Sequence, residues 1–177
     1  MTEAANKSIE QKKEVSAVCG LFCPACTVFI GTQEDPGRIE MITKRSDYTV
    51  EDLTCDGCRS ARRSKYCRTC KMLKCSEEKG VDFCSECDEY PCDHLKEFQP
   101  AMPHRAELWK SLDRISEVGF EDWYDEMVEH YSCPNCHTIN SAYDAACRKC
   151  KTSPSCAFVE LNKEEILKYM SKMKWDK

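Results

Sequence analysis

Two cysteine pairs, CPNC at 133–136 and CRKC at 147–150, are separated by ten residues and determine how the C-terminal part of this chain folds. Two CxxC turns at this spacing are typical of a zinc ribbon, in which four thiolates close a tetrahedral shell around one ion. The segment 131–158 is too short to fold on an apolar core alone, so bound metal is the expected reason that it folds. A dithiol redox pair is the alternative for these cysteines. The predicted ligands are Cys133, Cys136, Cys147 and Cys150.

Two positions around this ribbon depart from the simplest pattern. The residue after the second cysteine of a zinc knuckle is often glycine, because the backbone there can adopt a positive φ. Here His137 and Lys151 occupy those positions. Cys156 is left over, and we expect it to be a small buried thiol rather than a ligand.

The chain has 16 cysteines among 177 residues, which indicates either a disulfide framework or a metal protein. The start of the sequence is polar through Glu14, without the apolar core of a signal peptide, and no window resembles a membrane span. We therefore expect a cytoplasmic protein with reduced thiols and no membrane partner. The net charge of −5 argues neither for nor against a nucleic-acid partner.

Eleven of the cysteines lie between residues 19 and 92. Eight of them are sufficient for two four-cysteine zinc sites: Cys55, Cys58, Cys67, Cys70, Cys75, Cys84, Cys87 and Cys92. The remaining three, Cys19, Cys23 and Cys26, lack a fourth ligand. Another cysteine or His94 could complete this site, although sulfur is the expected choice. The fourth position could also be open, as in catalytic zinc sites, or the three could hold an iron–sulfur cluster.

Several runs in this region resemble the cysteine-rich prokaryotic family known as domain of unknown function 3795 (DUF3795). The similar runs are CGLFC at 19–23, EDLTCDGC at 51–58, CKMLKC at 70–75, EKGV at 78–81, CSECDEYPC at 84–92 and GFEDW at 119–123. The resemblance implies an uncharacterised zinc- or metal-binding protein, often found in anaerobes, with no accepted catalytic residues. It also implies that Cys19 belongs to the same domain as the eight cysteines that follow, and it keeps iron–sulfur open as an alternative.

The expected fold is a small metal-stabilised α+β protein, with short hairpins that present the cysteine pairs. Apolar residues at helical spacing predict two helices, over Glu107–Gly119 and from Phe120 to Tyr131. A C-terminal helix is predicted with Asn162 as its N-cap and an apolar stripe that extends to Met173. The predicted parts are a flexible N-terminus (1–16), a Cys-rich metal-binding domain (17–98), a helical connector that packs on it (99–131), a zinc ribbon (132–158) and a C-terminal helix (159–177).

A basic run extends from Arg59 to Lys74 without an acidic residue. It could bind nucleic-acid phosphates, or it could offset the negative charge of the thiolate–metal centres beside it. We favour the second interpretation. No nucleophile triad, phosphate loop or dinucleotide fingerprint is present. The sequence therefore favours a non-enzymatic zinc module that binds a protein partner. Two alternatives are a redox or catalytic site at Cys19, Cys23 and Cys26, and nucleic-acid binding through Arg59–Lys74.

Overall fold

The computed structural model describes residues 7–172 as helices connected by turns. The α-helices are α1 (Ile9–Glu14), α2 (Thr27–Gln33), α3 (Pro36–Thr43), α4 (Val50–Leu53), α5 (Lys65–Arg68), α6 (Lys71–Lys79), α7 (Asp93–Phe98), α8 (Leu108–Val118), α9 (Phe120–Tyr131), α10 (Ala157–Leu161) and α11 (Lys163–Lys172). Single 3₁₀ turns occur at Cys23–Ala25, Cys84–Glu86, Gln99–Ala101 and Pro103–Arg105. Among these helices, none has the length and apolar character needed to cross a membrane.

The expected α+β fold with hairpins is wrong. Residues 7–172 contain no β-strand, and the only β-type pairings in that range are two isolated bridges, Ser16–Phe22 and Ser132–Ile139. Two of the four CxxC pairs in the N-terminal half lie on 3₁₀ turns, where the amide of the second cysteine donates to the carbonyl of the first. Cys26 bonds to Cys23 at 2.8 Å and Cys87 to Cys84 at 3.3 Å. A 3₁₀ turn brings two thiols together as well as a hairpin does, so CxxC spacing alone does not predict strands.

The N-terminal segment forms a helix at residues that the sequence assigned to a flexible lead-in. Helix α1 begins at a capping box, in which the Ser8 hydroxyl accepts from the Gln11 amide and the Gln11 side chain accepts from the Ser8 amide. Lys12 and Lys13 then form ion pairs at 2.6 Å with Asp125 and Asp82. These partners are distant in sequence, so the segment is held by tertiary contacts that a local pattern does not reveal. Residues 1–6 lie outside the described range.

The two predicted central helices are confirmed. Helix α8 ends at Gly119, whose φ of 84° is readily adopted by glycine, and α9 follows at once. Leu108, Leu112 and Ile115 form the buried face of α8, at the expected helical spacing.

The C-terminal helix also forms, and it begins directly after Asn162, whose carbonyl accepts from the Ile166 amide at 3.0 Å. The Asn162 side-chain nitrogen donates to the Phe158 carbonyl at 2.9 Å and to a Glu107 carboxylate oxygen at 3.1 Å. Glu107 also contacts His130 Nε2 at 2.7 Å, so one partly buried carboxylate connects the start of α8 to α9 and to the α10–α11 junction. Met173, at the end of the predicted apolar stripe, lies outside the described residues.

An aromatic core connects distant parts of the chain. The ring of Phe22 contacts Trp123, Tyr124 and Tyr131, with centroid separations of 6.2, 5.2 and 5.8 Å. Tyr131 also stacks on Phe158 at 4.9 Å. Trp123 and Tyr124 are fully buried. Because large buried rings contribute strongly to core stability, we infer that the residues near Phe22, the α8–α9 pair and the C-terminal segment depend on one another.

Candidate metal centre

The four cysteines of the C-terminal ribbon converge on a single point. Their sulfur atoms all lie within 4.8 Å of one another, and Cys133 and Cys147 are buried. The Cys133–Cys150 and Cys136–Cys147 sulfur separations are 3.5 and 3.6 Å. Ligands at about 2.3 Å from a tetrahedral zinc ion lie about 3.8 Å apart, so the group could hold one metal ion with little adjustment. Within residues 7–172, no other set of three or more potential ligands is this close.

Two matching backbone turns place these sulfurs. In the first turn, the His137 amide donates to the Cys133 carbonyl at 2.9 Å; in the second, the Lys151 amide donates to the Cys147 carbonyl at 3.0 Å. His137 and Lys151 have φ values of 57° and 65°. No other non-glycine residue in the described range has a positive φ. The sequence singled out these two positions, and the structure confirms the conformation expected there.

Asn140 lies at the centre of the ribbon and is fully buried. Its side-chain nitrogen donates to the carbonyls of Thr138 at 2.8 Å and Ser155 at 3.2 Å, and it lies 3.7 Å from the sulfur of Cys147. Its side-chain oxygen accepts from the Arg148 amide at 2.9 Å. One side chain thus connects both turns to the chain that leaves the ribbon. Sequence reasoning missed it, because a single asparagine between two cysteine pairs carries no spacing signal.

The thiols of the second turn favour the charged form that binds metal. Hydrogen bonds from the Thr152 hydroxyl and amide lower the pKa of Cys150 to about 5. Burial raises the pKa of Cys147, but hydrogen bonds from the amides of Cys150 and Lys149 and from the Cys136 side chain lower it, and the net shift is downward. Burial raises the pKa of Cys133 to about 11. Thiolates rather than thiols ligate metal, so these hydrogen bonds favour the form of the second turn that binds metal.

All 16 cysteines are free thiols, and the eleven upstream ones gather in overlapping groups. Burial raises the pKa of Cys19, and the neighbouring thiols of Cys58, Cys70 and Cys84 raise it further. Cys19 packs with those residues in one core cluster that also includes Leu95 and Leu108.

A different set of thiols lies around Cys23 and Cys26. Burial raises the pKa of both, and Cys55 is a charged neighbour of each. Burial, together with the neighbouring thiols of Cys26, Cys55 and Cys58, likewise raises the pKa of Cys67 to about 12. Cys58 is a neighbour of Cys23 as well as of Cys19, and Cys23 packs against the same core cluster as Cys19, so the two sets overlap.

A third set surrounds Cys84. Burial is the main cause that raises its pKa to about 12. Four neighbouring thiols, those of Cys92, Cys75, Cys70 and Cys87, also raise this pKa. Cys84 therefore neighbours both the Cys19 group and the cysteines that follow it in sequence.

Most cations of the basic run have internal partners. Arg62 pairs with Asp56 at 2.7 Å, whereas Lys65 and Arg68 lie 3.8 and 3.2 Å from Asp52. The Arg59 side chain donates to the Ser16 carbonyl. Because these cations are already paired within the protein, less positive charge is left to bind a phosphate backbone.

Comparison with known proteins identifies similarity in the upstream half of the chain. No curated protein and no solved structure matches this sequence at a significant level. The run at 119–123, which also resembled DUF3795, lies outside the matched segment. Over residues 15–97, which include all eleven upstream cysteines, the chain matches the model of a family described as a protein of unknown function, DUF3795.

Proposed function

We propose that this chain is a zinc-binding protein in which the ribbon cysteines hold one structural zinc ion, and that it acts as a non-enzymatic module for a protein partner. The observation that carries the proposal is the convergence of four sulfurs at Cys133, Cys136, Cys147 and Cys150. Four thiolates complete the coordination of zinc and leave no open position for a substrate or water. A closed site of this kind contributes folding free energy rather than chemistry.

Zinc is preferred over other metals for this site on two grounds. Thiolate sulfur is a soft ligand that favours zinc, copper(I) and iron–sulfur centres over magnesium or calcium. The 3.5 and 3.6 Å separations leave room for one ion between the sulfurs. An iron–sulfur cluster holds its cysteine sulfurs farther apart, because several iron and sulfide atoms lie between them.

The proposed partner is a protein because the described surface carries exposed apolar side chains. Tyr66 and Val50 are more than half exposed on α5 and α4, in the segment that matches the DUF3795 family. The cations next to Tyr66 are engaged by Asp52, which makes this face less suited to nucleic acid than to another protein.

Elemental analysis of the full chain, purified anaerobically, tests the metal assignment. We expect colourless protein that contains zinc, and a Cys133→Ser/Cys136→Ser variant that has lost one zinc equivalent per chain. Cys156→Ser is the matched control, since Cys156 is a buried thiol that lies outside the four-sulfur group. Full zinc content in the double variant would contradict the proposal, as would brown protein that carries iron and acid-labile sulfide in the ribbon.

A further inference from the structure

A small cavity in the family-matched segment is lined by four cysteines from three separate elements. It has a volume of about 20 Å³ and lies between α6, the 3₁₀ turn at Cys84–Glu86 and the start of α7. Its cysteines are Cys75, Cys84, Cys87 and Cys92, all partly buried. Four thiols that face one enclosed space form the donor set of a soft-metal site.

Each element presents its cysteine in a defined way. On α6, Met72, Cys75, Ser76 and Lys79 line the cavity at i, i+3, i+4 and i+7, which places them on one helix face. Cys84 and Cys87 stand at the two ends of the turn that their 3.3 Å backbone hydrogen bond closes. Cys92 immediately precedes α7. A CxxC pair from one turn, completed by two cysteines from neighbouring elements, is a frequent way to build a four-thiolate site.

The surroundings of the cavity suit a negatively charged centre. Lys79 Nζ lies 3.4 Å from the Cys87 sulfur, and no aspartate or glutamate lines the cavity. Met72, Val81 and Tyr90 supply the other large lining side chains. Lys79, which also pairs with Glu89 at 2.9 Å, stabilises the thiolate of Cys87, and the apolar wall around the other sulfurs excludes competing water.

We propose that Cys75, Cys84, Cys87 and Cys92 bind a single zinc ion in this cavity, separate from the ribbon site. A volume of about 20 Å³ is close to that needed for one water molecule, so it suits one ion rather than an iron–sulfur core. These sulfurs are not as close together as those of the ribbon, so metal binding draws the three elements inward. His94 also lines the cavity, but four thiolates complete the shell without it.

Metal content and cobalt substitution in the full chain test this site. We expect Cys84→Ser/Cys87→Ser to lose one zinc equivalent per chain relative to the wild type, and Cys75→Ser, on the opposite wall, to lose the same equivalent. His94→Ala and the control Cys156→Ser should retain full zinc. The ribbon variant Cys133→Ser/Cys136→Ser should keep this second ion. The two pairs of substitutions therefore test the ribbon site and the cavity site separately.

A conservative variant covers the case in which the serine variants do not fold. Cys92→His keeps four ligands but replaces one sulfur by nitrogen. Its cobalt-loaded form should retain the visible bands of tetrahedral coordination and lose part of the sulfur-to-cobalt charge-transfer absorbance. Unchanged charge-transfer absorbance in Cys92→His, undiminished zinc in a folded Cys84→Ser/Cys87→Ser protein, loss of the ion in His94→Ala, or iron with acid-labile sulfide at this site would each overturn the proposal.

Discussion

Replacing Asn140 by aspartate tests whether the ribbon depends on its buried hydrogen bonds as well as on its four sulfurs. Asn140→Asp keeps the size of the side chain and the oxygen that accepts from the Arg148 amide. It replaces the donor nitrogen by an oxygen that faces the carbonyls of Thr138 and Ser155 and the sulfur of Cys147. Two attractive contacts to buried carbonyls therefore become repulsive, next to a negatively charged metal centre.

The size of the effect follows from these contacts. Leaving a buried polar group without a partner costs about 1–3 kcal/mol, and Asn140→Asp affects two carbonyls. The new carboxylate must also either remain charged in a buried site or take up a proton. We expect the free energy of unfolding to fall by about 3–5 kcal/mol. Zinc affinity should fall by about 10–100-fold, as is common when a group that orients a ligand is lost.

The assay is denaturant unfolding in a zinc buffer, with competition against a chromophoric chelator for the affinity. Asn135→Asp is the matched control, because Asn135 is exposed and its side chain also reaches a ligand sulfur, that of Cys150. It introduces the same charge near the metal without disturbing a buried network, and should cost less than about 1 kcal/mol. Equal losses in the two variants would show that charge alone explains the effect, and our reasoning about Asn140 would then be wrong.

Three further predictions concern backbone strain, pH and an ion pair. His137→Gly and Lys151→Gly should each raise stability by up to about 1 kcal/mol, because both positions have a positive φ that glycine adopts without strain; the denaturation midpoint measures this. Burial, with Arg105 nearby, lowers the pKa of His104 to about 4, so between about pH 4 and 6.5 the unfolded chain binds a proton that the folded chain does not. Stability should therefore fall as pH decreases through that range. His104→Gln should reduce this loss by about 2–3 kcal/mol at pH 4. Parallel curves of unfolding free energy against pH for the two proteins would contradict this. Arg38→Leu should lower stability by about 2–4 kcal/mol in thermal or chemical unfolding, since it leaves Asp144, which Arg38 contacts at 2.9 Å, partly buried without its cation; a loss below about 0.5 kcal/mol would refute this.

The sequence predicted well those features that depend on residues close together in the chain. The four ribbon cysteines, the two positions with positive φ and the α8–α9 pair all follow from short-range spacing. For each of them the local pattern and the fold agree, because a turn or a helix face is determined by a few neighbouring residues.

Other features could not be predicted from the chain because they depend on tertiary contacts. Helix α1 is tied down by Asp125 and Asp82, far away in sequence. The grouping of the eleven upstream cysteines depends on which helices meet, and Cys84 lies beside residues of two groups. The predicted hairpins are absent from residues 7–172 because turns and helix ends present the thiols instead.

The position of Phe22 has a consequence for where this chain can be cut. Its ring lies inside the stretch shared with the DUF3795 family, whereas Trp123, Tyr124 and Tyr131, which cover it, lie outside that stretch. A fragment cut after residue 97 would expose this ring to water and should aggregate or recruit another chain to shield it. The segment that matches the family model and a segment that can fold alone therefore have different limits here, and a fragment that stops near residue 97 needs another apolar group over the same aromatic site.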